Sequence, residues 1–80
     1  MSCSVLKKQF EDEINRGITF ERTMEFYNDV KGSIDAHRIE LAQLKQSNSD
    51  PNEIHHLQEH IEEGEQLLNE IKSLSLTLKN

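Results

Sequence analysis

From Phe20 to Leu44 apolar positions recur with a seven-residue period, with Phe20, Tyr27, Ile34 and Leu41 at one seam position and Thr23, Val30, His37 and Leu44 at the other. The spacing predicts a helix over about 20–46, roughly 40 Å long at a rise of ~1.5 Å per residue. The pattern resumes after a polar interruption: Ile54, Ile61 and Leu68 hold one seam position and Leu57, Ile71 and Leu78 the other, broken at Gly64 and Ser75. A second long helix is predicted over about 51–78. Between the two, residues 46–53 read Gln-Ser-Asn-Ser-Asp-Pro-Asn-Glu. Lys45 suits a helix C-terminus, Asp50 is a good N-cap, Pro51 loses nothing at the first helical position, and Glu53 completes a capping box. So short a connection between long helices predicts an antiparallel helical hairpin. Folding it about Asn48 and Ser49 sets Leu44 near Ile54, Leu41 near Leu57, His37 near Ile61, Ile34 near Gly64, Val30 near Leu68 and Tyr27 near Ile71.

Ahead of the hairpin, Leu6, Phe10 and Ile14 recur every four residues, which predicts a short helix over about 4–16 with Ser4 as its cap. Gly17, followed by Ile18, has the pattern of a Schellman stop, and Thr19 can cap the next helix. The alternative is one helix running through Gly17 at a cost of about 1 kcal/mol relative to alanine. The fold class is therefore all-α, a single domain over 1–80. At Gly64 two readings stand: a missing side chain that admits Ile34 or Tyr27, or a hinge. The last residues alternate at Leu74, Leu76 and Leu78, a pattern that predicts a frayed or extended tail.

The seam leaves apolar residues over. Met24 and Phe26 on the first long helix, Leu67 and Leu74 on the second, and Leu6 and Phe10 on the short one widen the stripe and are the candidate partner-binding residues. Their cover is the short helix itself, a second copy of the chain, or another protein.

Composition narrows the classes. Fifteen acidic residues against nine basic ones give a formal charge of -6, which repels a phosphate backbone and argues against nucleic-acid binding. The single Cys3 has no intrachain disulfide partner, the start lacks the apolar run of a signal peptide, and no run approaches the roughly 20 residues of a membrane span. These features imply a cytoplasmic protein without membrane insertion. Eighty residues bury only about 60% of the unfolded surface, so a partner would add stability.

Candidate chemistry is sparse. Residues 50–70 hold Asp50, Glu53, Glu59, Glu62, Glu63, Glu65 and Glu70 with no lysine or arginine, either a solvated face or a docking surface for a basic partner. His56 and His60 stand one turn apart, a spacing at which two imidazoles can meet one metal ion. A zinc site wants three or four ligands, however, and His37 is placed on the seam rather than on their face, so no metal or other cofactor is expected. No serine or cysteine is paired with a base and no glycine-rich phosphate loop is present, which predicts a protein that is not an enzyme. Cys3 reads as an incidental free thiol.

The Leu-Lys-Gln-Ser-Asn-Ser-Asp-Pro-Asn-Glu turn, followed by Leu57, Ile61 and Glu-Gln-Leu-Leu-Asn-Glu-Ile, resembles the small helical-hairpin co-chaperones of bacterial type III secretion, the YscE, EscE and SsaE group, over roughly Leu41 to Ile71. The resemblance implies a protein that pairs with a tetratricopeptide-type chaperone to hold a needle subunit unpolymerised. Needle subunits are also hairpins with an Asp-Pro turn, but this chain lacks their tryptophan-containing N-terminus. The expected function is a non-enzymatic protein-interaction module; the alternatives are a self-associating coiled coil, as a homodimeric four-helix arrangement, and a needle-type subunit.

Overall fold

In a computed structural model, described over residues 3–47 and 50–79, the chain is three helices: α1 (Cys3–Arg16), α2 (Phe20–Gln46) and α3 (Pro51–Leu78). The all-α class expected from the sequence is the class observed, with 92% of the described residues helical and no strand among them. The long dimension is 47 Å and the others 18 and 16 Å, the proportions of two long helices lying side by side. Asn48 and Ser49, about which the turn was expected to fold, lie outside the described residues.

Local chemistry explains the element ends. α1 stops because Gly17 takes φ +89°, a left-handed conformation that costs a residue with a Cβ roughly 1–2 kcal/mol, and its N–H bonds the carbonyl of Ile14 at 3.1 Å. Thr19 then caps α2, its hydroxyl accepting from the Arg22 N–H at 3.1 Å. The break at Gly17, and not the continuous helix, is what the chain adopts. Asp50 caps α3 by accepting from the Asn52 N–H at 3.0 Å, with Pro51 in the first turn. Ser4 is already inside α1, so its expected role as cap is not taken up.

Contacts between α2 and α3 run in opposite order along the two helices. Arg38 is ion-paired with Glu65, Ile34 meets Gly64, and Glu40 and Leu44 share a recess with Glu53, His56, Leu57 and His60. The closest approach is at Gly64, where a Cβ would stand 2.9 Å from Ile34 Cγ1 and 3.0 Å from Cys3 Sγ. Such distances leave no room for a methyl group, so glycine here is a packing requirement. The helix continues unbroken through it, which disposes of the hinge reading.

The third helix decides which residues form the core. α1 lies in the groove between α2 and α3, with Leu6 and Phe10 2% exposed, beside Phe26 (1%), Val30 (0%), Ile34 (2%), Leu67 (2%) and Ile71 (0%). Phe10 meets Phe26 edge to face, ring centroids 5.4 Å apart at 68°, a favoured aromatic arrangement. A heptad seam presumes two helices; adding a third on one flank swings the buried stripe toward it. Hence Phe26 rather than Tyr27, and Leu67 rather than Leu68, is buried, while Phe20 and Leu78 at expected seam positions are 37% exposed. The same geometry corrects α1. Steps of four drift about 40° each on a helix, so Ile14 ends up 41% exposed and Cys3, Leu6 and Phe10 form the inner face. The tail is corrected too: α3 stays helical to Leu78, leaving Leu76 60% exposed on a helix in place of a frayed or extended tail.

Candidate functional site

The groove between α2 and α3 is longer than the helix that fills it. Cys3, at the start of α1, sits with its thiol 3.5 Å from the Ser33 hydroxyl and beside Gly64; it is 5% exposed, a packing residue and not the incidental thiol expected. One turn further along each long helix stand His37 and His60, their ring centroids 6.3 Å apart. Beyond them lies a recess of about 300 Å³ lined by Glu40, Leu44, Glu53, His56, Leu57 and His60. None of the described residues of α1 reaches it. Leu41, Leu44 and Ile54 are only half-buried in this half of the pair, whereas Val30 and Ile71 in the covered half are fully enclosed. The open recess therefore has an apolar floor, acidic walls and imidazoles at the edge where α1 begins.

His37 is fixed in place. Its Nδ1 lies 2.6 Å from the Ser33 carbonyl, and since a carbonyl only accepts, Nδ1 carries a proton and donates it there. His56 and His60 approach each other directly, Nε2 to Nε2 at 3.1 Å, with the rings nearly perpendicular. His55 points elsewhere and pairs with Glu59 at 2.8 Å. Separating His37 from this face was an error of register: it shares the groove with His60. No group of three or more His, Cys, Asp or Glu side chains suited to holding a metal ion occurs among the described residues.

At the opposite end, Arg22 anchors the cover. Its guanidinium bonds Glu13 of α1 at 2.9 Å and Glu25 at 2.7 Å, and lies 4.3 Å from the centroid of the Phe26 ring. The hydrogen bonds to Glu13 and then Glu25 raise its pKa further above the ordinary arginine value, so this link persists wherever the carboxylates are ionised. Such half-exposed pairs contribute little each, but the cation over Phe26 adds contact on the same side chain.

Of the six candidate partner-binding residues, Leu6, Phe10, Phe26 and Leu67 belong to the chain's own core, because Leu6 and Phe10 of α1 pack against the long helices that carry Phe26 and Leu67. They are not available to a partner in this conformation. Met24 and Leu74 are half-buried. The sequence reading missed Glu40 and the recess floor at Leu44 and Leu57; the available signal was length, since a helix of 14 residues cannot cover one of 27. No helix among the described residues is long and apolar enough to cross a membrane. No family model, curated protein or solved structure matches this chain.

Proposed function

We propose that the protein is a non-enzymatic interaction module of the cytoplasm, an α-helical hairpin whose short first helix fills half of its groove and whose open half receives a helix of a protein partner. The observation that carries this reading is the uncovered recess, with Leu44 and Leu57 at its floor and Glu40 and Glu53 along its walls. Its occupant is an amphipathic helix with a basic flank: the apolar face meets the leucines, and the basic side meets a chain of net charge -6. The resemblance of the Leu41 to Ile71 stretch to type III secretion co-chaperones supports a tetratricopeptide-type chaperone as that partner, in a complex that keeps a needle subunit unpolymerised.

Co-expression with such a chaperone tests this. The intact chain is expected to co-purify with it, and Glu40→Lys together with Glu53→Lys is expected to abolish the complex while leaving helicity unchanged, because both residues are exposed. A complex insensitive to the charge reversal, or none with the intact chain, would overturn the reading. A concentration-independent dimer that buries Leu44 would replace it with the self-associating coiled coil.

A further inference from the structure

We propose that His56 and His60 form a chelating site for one divalent first-row transition-metal ion, with Zn2+ as the probe, at the mouth of the open groove. Two nitrogens bound to one ion at about 2.0–2.1 Å stand roughly 2.9 Å apart at a right angle and roughly 3.4 Å apart at the tetrahedral angle. The observed Nε2 separation of 3.1 Å falls inside that window. Nothing in the packing of the fold demands the approach, since His56 is exposed and His60 half-exposed, and both could turn to solvent instead.

In the metal-free chain the contact is an N–H···N hydrogen bond, which requires one ring to carry its proton on Nε2 and the other on Nδ1. Coordination needs both lone pairs at Nε2, so the shared proton passes through water to Nδ1 of its own ring. Neutral imidazoles lose no net proton, and the two nitrogens need move by only a few tenths of an ångström. Imidazole pairs suit Zn2+, Ni2+ and Cu2+ and disfavour Mg2+ and Ca2+, which want oxygen ligands. Around the pair stand Glu53, one turn before His56 on α3, and Glu40 across the recess on α2, whose negative field favours a cation. His55 is engaged with Glu59 and His37 with the Ser33 carbonyl, so the protein supplies two ligands and water completes the shell.

Calorimetric titration of the untagged chain with Zn2+ tests the site. One ion per chain is expected. His56→Asn and His60→Asn should each weaken binding by about tenfold or more, at least as much as losing an outer-shell partner does at other metal sites, with helicity retained. His55→Asn should leave the affinity within about threefold, well short of that loss. In nitrogen-15 spectra of the parent, Zn2+ should shift the Nε2 resonances of His56 and His60 and leave both rings protonated at Nδ1. Absence of one-to-one binding, equal affinity in the His60→Asn variant, or a loss in His55→Asn as large as in His56→Asn would overturn the assignment.

Discussion

Phe10→Ala is expected to unfold much of the protein at physiological temperature. The ring is 2% exposed, edge to face with Phe26, and it is the largest side chain α1 contributes to the core. Truncating a buried phenylalanine costs about 3–5 kcal/mol, while an 80-residue domain has roughly 4–12 kcal/mol in total. The substitution thus removes between a quarter and all of the stability, and helicity should fall along the whole chain, since neither long helix retains an enclosed core. Thermal unfolding by circular dichroism checks this. A melting temperature unchanged from the parent would show that α1 is peripheral and that Phe10 serves a surface role, as the sequence alone suggested.

The second large effect separates two neighbouring leucines. Leu67→Asp places a carboxylate in the core cluster that holds Phe10, Phe26 and Ile71. The lost leucine burial alone costs about 2–5 kcal/mol, and desolvating the charge adds to it or forces the group to stay protonated. Leu68→Asp, half-buried, is expected to leave the chain folded with a lower melting temperature. The order Leu67 worse than Leu68 reports the rotation of α3 toward α1. The reverse order would restore the two-helix register in which Leu68 faces Val30.

These two cases mark where the sequence was legible. Caps and breaks were readable because they depend on residues within a turn of each other: Asp50 and Pro51 start α3, Thr19 starts α2, and Gly17 takes the conformation its position implied. The close approach at Gly64 was readable from seam spacing, because it lies where Ile34 needs room. The rotation of the core toward Phe26 and Leu67 was not, since a seven-residue repeat on one helix carries no information about a third helix on its flank. For the same reason the sequence left the cover of the apolar residues beside the seam open between α1, a second copy and another protein, and it is α1 that packs on Phe26 and Leu67. The open recess follows only once α1 is placed, as does the meeting of His37 and His60 across the groove. Approach of His56 to His60 was allowed by their one-turn spacing, but the 3.1 Å geometry is a property of the side chains as folded.

Amide hydrogen exchange along α2 and α3 of the isolated chain most directly tests the claim that the groove is filled over one half and open over the other. Amides in the part covered by α1, around Phe26–Ile34 and Gly64–Ile71, should exchange only through global unfolding, and those around Leu41–Leu44 and Ile54–Leu57 through much cheaper local opening. Addition of the partner helix should slow the second group and leave the first unchanged. Equal protection of both groups in the isolated chain would contradict the account, because a recess without a cover cannot hold its helices as firmly as an enclosed core.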